Sequence, residues 1–269
     1  MSWAVRVLGK TPQLLRASDG RQFVLQFPRD RGWEPLYFME TYETGTTNTV
    51  KGVLRADDVT FDVGANIGWY TTFFAKQCPH GHCHAFEPEP SVFAELVANC
   101  ALNEIGTNVS LNELGVADRP GQAMIYRFAE RPHGHSSLAP EVGKDGRGVV
   151  CETTSLSQYC ESRGIHRVDL VKVDVEGAEL LVLKGAEALF SLSPSPMWVL
   201  EVNFQTSQAF GYTPLEPLRF VAEQGDFRFF RVVEGWRKLL PVKQLHECTH
   251  LDNVLCVPPD RLARVAGLV

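Results

Sequence analysis

The stretch VTFDVGANIG, residues 59–68, constrains the fold of this chain more than any other segment. Its first five residues are mostly apolar and favour a β-strand, and Gly64, Asn66 and Gly68 follow at once. Apolar residues then recur at helical spacing from Ile67 onwards. A strand, a glycine turn and a helix in this order are typical of a nucleotide-type site in an α/β fold. Glycine lets the backbone pass close to a ligand, and the helix N-terminus presents free N–H groups to it.

The residues around the turn narrow the choice of ligand. A dinucleotide site needs the pattern G-x-G-x-x-G to hold a pyrophosphate, whereas this turn reads G-x-N-x-G and follows Asp62. A carboxylate beside the turn would repel a pyrophosphate and suits a ligand that carries an ammonium group. S-adenosylmethionine (SAM) carries an ammonium, a carboxylate, a sulfonium and a ribose diol. Glu87, at the end of the second predicted strand, is expected to accept hydrogen bonds from both ribose hydroxyls.

Three segments together resemble the FkbM-type SAM-dependent methyltransferases. They are FDVGANIGWYT (61–71), AFEPEPSVFAELVANCALN (85–103) and VDLVKVDVEGAELLVLKGA (168–186). The most specific of them is the block DVEGAE with its trailing LKGA, residues 174–186. The resemblance extends over residues 42–257, which is most of the chain.

The alternation of strands and helices predicts an α/β fold with a mostly parallel sheet. The resemblance implies the class I methyltransferase (Rossmann-like) form: a seven-stranded sheet with an antiparallel final strand, helices on both faces and an N-terminal strand/helix extension. Two regions are expected: an extension at 1–58 that covers the cofactor pocket, and a SAM-binding methyltransferase domain at 59–269. Predicted strands are 22–27, 59–63, 82–86, 109–114, 122–128, 149–153, 168–173, 197–202, 227–233 and 253–257. One predicted helix follows the glycine turn and ends near residue 77. The other predicted helices span 90–103, 155–163, 178–190 and 215–224.

Composition limits the partners of the protein. The net charge of −6 and the pI near 5.8 argue against nucleic acid, which requires clustered Lys and Arg. No apolar run approaches the ~20 residues of a membrane span, and the first ten residues do not read as a signal peptide. Seven cysteines, an odd number, favour free thiols in a reducing cytoplasm. The expected partner is a small-molecule acceptor, and a homodimer stays open.

The cofactor site is predicted to draw on the glycine turn, the helix after it and the ends of the strands. Glu43 is included because a Tyr-Glu pair precedes the first core strand in the family, although an acid on a surface turn is an equal alternative. Asp118 could face the adenine edge, and a turn residue before Pro120 is the preferred interpretation. The predicted cofactor-binding residues are Glu43, Asp62, Gly64, Asn66, Gly68, Tyr70, Thr71, Glu87, Pro88, Val116 and Asp174.

Catalysis is expected at the carboxyl ends of the strands, where ligands lie in open α/β sheets. A hydroxyl acceptor has a high pKa, so a base or a metal must help to remove its proton. The candidates are Asp174, expected nearest the methyl group, His135 in the polar segment 129–147, and Glu176, which could instead cap a helix. Magnesium held by the acids stays open, and a metal-free route with His135 as base is preferred.

The segment CPHGHCH, residues 78–84, resembles a metal cluster because cysteine and histidine are zinc ligands. Side chains alternate along the predicted strand 82–86, so Cys83 should point away from His82 and His84. No second cluster follows at zinc-finger spacing. We therefore predict no structural zinc there.

The favoured function is SAM-dependent O-methylation of a hydroxyl on a sugar or natural product. The alternative is a SAM-binding protein without catalysis that acts as a partner or regulator. An NAD-dependent oxidoreductase is disfavoured because the G-x-G-x-x-G pattern is missing from the turn. The acceptor would be selected by residues 129–147 and by the first ~50 residues, because loop-like segments usually carry specificity.

Overall fold

The computed structural model of the chain describes residues 11–26, 30, 32–128, 146–235, 238–248 and 252–269. Its strands are β1 (Gln13–Arg16), β2 (Gln22–Leu25), β3 (Val59–Val63), β4 (His82–Phe86), β5 (Val109–Asn112), β6 (Gly115–Val116), β7 (Gly121–Phe128), β8 (Gly146–Thr154), β9 (Leu170–Val173), β10 (Met197–Val202), β11 (Arg228–Val232), β12 (Leu239–Pro241) and β13 (Asp252–Val257). Its α-helices are α1 (Glu34–Met39), α2 (Thr44–Val53), α3 (Trp69–Gln77), α4 (Pro90–Leu102), α5 (Leu156–Arg163), α6 (Glu179–Lys184), α7 (Glu187–Phe190), α8 (Phe204–Ala209) and α9 (Glu216–Gln224). Two 3₁₀ turns, Leu245–Glu247 and Pro259–Arg264, complete the described part.

The central sheet has the strand order β12-β11-β13-β10-β9-β3-β4-β5. The five strands from β10 to β5 are parallel, whereas β13 runs antiparallel to both β10 and β11. This arrangement confirms the predicted class I methyltransferase fold with its antiparallel final strand. The predicted count of seven strands was wrong by one, because the short strand β12 pairs with β11 at the edge of the sheet.

Helices cover both faces of the sheet, as predicted, because side chains alternate along each strand. In β10, Met197 and Val199 belong to one apolar core, whereas Trp198 and Leu200 belong to the other. The first core includes side chains of α3 and of the N-terminal extension. The second includes side chains of α5, α6 and α9. Parallel strands buried on both faces read as continuous apolar runs, and β9 is buried at all four residues.

The N-terminal extension contains more helix than the sequence predicted. Strands β1 and β2 form a hairpin that is fixed to α4, where Asn99 and Asn103 accept hydrogen bonds from backbone N–H groups of β2. The guanidinium of Arg21 is buried, donates to the Trp69 carbonyl and the Thr72 hydroxyl of α3, and lies over the Trp69 ring. The extension therefore packs directly on the helix that follows the glycine turn.

The predicted helix 178–190 is two short helices, α6 and α7. The break is at Gly185, where a Cβ would lie 2.0 Å from the carbonyl oxygen of Ala117. This close approach packs the end of α6 against the residue that follows β6, in a second, three-stranded sheet of order β6-β8-β7. A tertiary contact of this kind cannot be read from the helical periodicity of 178–190.

Charged residues form a buried network at the amino ends of the central strands. Asp58 and Asp169 precede β3 and β9, and each is at most 1% exposed. Arg264 donates to Asp58, and the Arg261 guanidinium lies 2.9 Å from the Asp169 carboxylate. The network links the C-terminal 3₁₀ turn to the sheet, at the edge opposite the carboxyl ends of the parallel strands. No helix in the described part of the chain has the length and apolar character needed to cross a membrane.

Candidate functional site

A cleft of about 800 Å³, partly open to solvent, lies at the carboxyl edge of the parallel strands. This is the edge at which ligands bind in open α/β sheets. An apolar part of the wall is formed by Phe86, Leu114, Val116 and Ile125. The polar lining includes the carboxylates of Glu43, Glu87, Asp174, Glu176 and Glu201.

The glycine turn at Gly64 is shaped by its packing against the neighbouring strand end. Gly64 has a φ of +83°, and its N–H donates to the carbonyl of Phe86. A Cβ at Gly64 would lie 1.9 Å from the carbonyl oxygen of Asp174. The sequence-based interpretation, in which glycine lets the backbone pass close to a ligand, was therefore incomplete, because the backbone of Asp174 already fills the space of a side chain. Gly68 has a φ of +93°, which residues with a side chain rarely adopt, and a Cβ there would lie 2.7 Å from a terminal methyl group of Leu96.

Glu87 is held at the cleft by two backbone donors. Its Oε2 accepts from the N–H of Asn66 at 2.9 Å, and its Oε1 accepts from the N–H of Glu89 at 3.0 Å. Burial raises the pKa of Glu87 to about 8, with smaller contributions in the same direction from Asp62 and Asp174. The carboxyl group is therefore mostly protonated at neutral pH until a ligand supplies donors to its charged form.

Lys172, beside the cleft, is one of the candidate-site residues that the sequence-based prediction did not include. It lies in the middle of β9 with its side chain 3% exposed, and its Nζ donates to Asp174 Oδ2 at 2.8 Å. The ammonium also sits 4.5 Å from the centre of the Tyr70 ring. Burial alone would lower the pKa of Lys172, but Asp174, Glu43 and Asp62 together raise it, so the ammonium stays charged. A single lysine within an apolar strand was the available signal.

A second layer of polar side chains supports the acids of the cleft. The Tyr70 hydroxyl donates to Glu43 Oε2 at 2.7 Å, and the Thr71 hydroxyl donates to Asp62 Oδ2 at 2.6 Å. The other oxygen of Asp62, Oδ1, is buried and has no hydrogen-bond partner among the described residues. Burial raises the pKa of both Glu43 and Asp62, whereas Lys172 lowers it.

The carboxylates at the ends of β9 and β10 form the most acidic part of the cleft. Glu201 lies on β10, and Asp174 and Glu176 follow β9. Burial raises the pKa of Glu201 well above its usual value, and the neighbouring carboxylates, Asp174 first, raise it further. The loop after β9 is fixed by Glu179, whose Oε1 accepts from the N–H groups of Val175 and Gly177.

Three residues of the cleft have a left-handed backbone conformation, which residues other than glycine rarely adopt. Glu43, Asn66 and Glu176 have φ values of 41°, 51° and 52°. Such conformations cost of order 1–3 kcal/mol each and tend to persist at functional sites, where surrounding contacts hold them. Their convergence on one cleft makes this edge of the sheet a candidate functional site.

The structure brings most of the predicted site residues to this cleft. Glu43, Gly64, Asn66, Glu87, Pro88, Val116, Asp174 and Glu176 line it. Asp62, Gly68, Tyr70 and Thr71 lie behind the lining and hold it in shape. Asp118 is exposed on a turn, in accordance with the preferred interpretation. His135 and the rest of 129–145 lie outside the described residues.

The residues at 78–84 do not converge on one point. His82 lies 2.9 Å from the Ser110 hydroxyl, and His84 lies 3.0 Å from the Tyr159 hydroxyl. Cys83 is buried in the core on the opposite face of the sheet, as the alternation of side chains predicted. Among the described residues, no group of three or more His, Cys, Asp or Glu side chains has the geometry of a metal site.

Comparisons with known proteins give consistent results. The methyltransferase FkbM domain matches residues 62–229. The methyltransferase sdnD of Sordaria araneosa is 32% identical over 47% of this chain and 59% of its own length. The 31-O-demethyl-FK506 methyltransferase FkbM of Streptomyces tacrolimicus is 33% identical over 50% of this chain and 61% of its own length. The hexuronic acid methyltransferase AglP of Haloferax volcanii is 32% identical over 48% and 50% respectively. The matches thus span less than two thirds of these relatives.

Proposed function

This chain belongs to the FkbM methyltransferase family, and from that membership we propose that it transfers the methyl group of SAM to a hydroxyl oxygen of a small molecule. The observation that carries the proposal is the acidic cleft at the carboxyl edge of the sheet. Among the described residues, five carboxylates line this cleft, whereas Lys172 is the cation found beside them. A ligand with positive groups and hydroxyl donors would stabilise such a site.

The described residues fit the parts of SAM. Glu87 would accept hydrogen bonds from the ribose hydroxyls, because its two backbone donors leave further lone pairs on each oxygen. Pro88 and the apolar wall with Val116 suit an adenine ring. Glu43, which lines the cleft, is an acceptor suited to the ammonium group, and the Oδ1 of Asp62, without a partner among the described residues, lies in the layer behind it. When bound, SAM supplies an electrophilic methyl group on a sulfonium.

Residues of the chain would position the acceptor and receive its proton. Asp174 and Glu176 line the same cleft as Glu87, so an acceptor hydroxyl beside them lies within the same enclosed space. The Asp174 carboxylate would orient the hydroxyl by accepting its hydrogen bond. Holding the oxygen close to the methyl carbon and in line with the leaving sulfur is the main task of such a site. A nearby carboxylate would then take the proton, because the acceptor's own pKa is high.

We further propose that residues 1–58 cover the donor side of the cleft while 59–269 form the SAM-binding domain. Two residues of the extension, Tyr42 and Glu43, line the cleft. Tyr42 is stacked on Trp33 with ring centroids 4.0 Å apart, and Glu43 is held by Tyr70. These contacts support an extension that fixes one wall of the cleft.

A hydroxyl acceptor of the sugar or natural-product class is supported by the names of the relatives. One relative is a 31-O-demethyl-FK506 methyltransferase and another a hexuronic acid methyltransferase. A carboxylate-lined cleft suits a polyhydroxylated molecule, because each carboxylate can accept from hydroxyl donors.

The test is transfer of an isotope-labelled methyl group from SAM to hydroxyl compounds, followed by mass spectrometry and by NMR of the product. We expect an O-methyl ether that carries the label. Label on nitrogen, carbon or sulfur would contradict O-methylation. Binding of SAM without turnover on any acceptor would favour the alternative of a non-catalytic SAM-binding protein.

A further inference from the structure

Two carboxylates end neighbouring parallel strands in the cleft. The register of β9 and β10 pairs Val173 with Leu200, so the residues that follow, Asp174 and Glu201, are neighbours at the same edge. Both line the cleft. Carboxylates in such proximity resist simultaneous ionisation, and unequal surroundings decide which of them holds the charge.

The surroundings of the two carboxylates differ in sign. The ammonium of Lys172 donates to Asp174 at 2.8 Å and favours the charged form of that carboxylate. After burial, the groups that raise the pKa of Glu201 most are carboxylates, namely Asp174, Glu176, Glu179 and Glu43. Among the described residues, the donor to Glu201 is the side-chain amide of Asn203, at a long 3.5 Å.

Three other acids in or beside the cleft are held by shorter hydrogen bonds. Glu43 accepts from the Tyr70 hydroxyl at 2.7 Å. Glu87 accepts from two backbone N–H groups at 2.9 and 3.0 Å. Glu179 accepts from two backbone N–H groups of its own loop. Donors of this kind stabilise the charged form, whereas Glu201 has weak support for its charge and correspondingly higher affinity for a proton.

We propose that Glu201 is the general base of the methyl transfer, and that Asp174, kept ionised by Lys172, orients the acceptor hydroxyl. The inference rests on the proposed function. The acceptor oxygen forms a bond to the methyl carbon while the carbon–sulfur bond breaks, and that electron pair stays on sulfur, which becomes neutral. The hydroxyl proton passes to the carboxylate of Glu201, and the resulting carboxylic acid returns the proton to solvent.

Burial and the neighbouring carboxylates raise the pKa of Glu201, so this carboxylate binds the acceptor's proton more strongly than an ordinary glutamate would. The same feature predicts that kcat rises with pH on the acidic side, as Glu201 loses its proton. Burial and neighbouring charges can separate the pKa values of two carboxyl groups in one site. The two groups can then perform different tasks.

The decisive experiment compares the pH dependence of kcat for the wild type, Glu201→Gln and Asp174→Asn, with an acceptor found by labelled methyl transfer. Glu201→Gln should lower the maximal kcat by about 100-fold or more. It should also abolish the acidic limb of the profile, that is, the rise of kcat with pH on the acidic side. Asp174→Asn should keep an acidic limb but move it to lower pH, because a like charge beside Glu201 is lost. Glu176→Gln is the matched control, and it should keep the limb with a smaller shift in the same direction.

The opposite pattern would overturn the assignment. If Asp174→Asn lost the acidic limb of the kcat profile while Glu201→Gln kept it, Asp174 would be the base. Absence of transfer by the wild type to every hydroxyl acceptor would instead reject the proposed function, and the base with it. A readout that needs no acceptor is ¹³C NMR titration of labelled glutamate carboxyls in the ligand-free protein. Glu201 should titrate well above an ordinary glutamate and lower in Asp174→Asn, and an ordinary value would refute the proposal.

Discussion

The affinity for SAM should fall as the pH is lowered, because the carboxyl group of Glu87 must lose a proton to accept from the ribose hydroxyls. Burial raises the pKa of Glu87 to about 8 in the ligand-free protein. Ribose donors stabilise the charged form, so the bound state holds fewer protons than the free state. Below the pKa that Glu87 has in the ligand-free protein, protons therefore compete with SAM, and the affinity falls as the pH is lowered. Above that pKa the affinity is constant.

The magnitude follows from the pKa. Each pH unit below about 8 costs about 1.4 kcal/mol of binding free energy, which is about tenfold in Kd. Between about pH 7.5 and about pH 5.5 the Kd should therefore rise by about 75-fold through Glu87 alone, since protonation is already partial at the upper pH. Glu87→Gln keeps the size of the side chain but has no proton to lose, so its Kd should lose this part of the pH dependence.

Calorimetric titration of SAM at several pH values, in buffers of different ionisation enthalpy, measures both Kd and the protons released. The titration of the SAM amino group is common to both proteins and cancels in the comparison of wild type with Glu87→Gln. The wild type should release close to one more proton than the variant at about pH 7. Equal pH dependence in the two proteins would refute the assignment of Glu87 to the ribose.

Further predictions concern stability and metals. Gly64→Ala should lower the free energy of unfolding by about 3 kcal/mol or more, because its Cβ would lie 1.9 Å from the Asp174 carbonyl oxygen. Gly211→Ala, at a φ of +77° with open space around it, should cost about 1 kcal/mol, and equal losses in chemical denaturation would contradict this account. Asp169→Asn, which removes the charge that pairs with Arg261 at 2.9 Å, should cost about 3–5 kcal/mol in the same assay while leaving the Kd for SAM unchanged. Chelation with EDTA should leave methyl transfer intact, whereas activity that is lost and then restored by magnesium would make the acids of the cleft metal ligands.

Much of the central sheet could be predicted because its elements carry strong local patterns. The strand and helix around the glycine turn, β3 and α3, lie where the sequence predicted them. The helix α4 begins at Pro90, a residue suited to a first helical turn, and Glu89 caps it by accepting from backbone N–H groups. In these segments periodicity, capping and turn chemistry favour the same structure.

The N-terminal helices could not be predicted because tertiary packing outweighs local propensity there. The helix α2 contains five Thr or Asn residues and two Gly residues, all poor helix formers. Burial of Thr46, Thr49 and Val50 against the core stabilises it nevertheless. The count of helices in the extension was therefore beyond a reading of the sequence.

The candidate site could likewise be predicted only in part. The acids at strand ends could be located, because the carboxyl ends of parallel strands meet at one edge. The partners of those acids could not: the pairing of Lys172 with Asp174 and the hydroxyl of Tyr70 on Glu43 depend on how separate elements pack. The steric reason for Gly64 also became visible only when the loop after β9 was in position.

A crystal structure of the protein with S-adenosylhomocysteine would test the central claim most directly. The account predicts the adenosyl group in the acidic cleft, with the ribose hydroxyls on the Glu87 carboxylate and the adenine against Val116. It also predicts that the sulfur faces the space between Asp174 and Glu201. A nucleoside bound outside this cleft, or a ribose that makes no contact with Glu87, would contradict it.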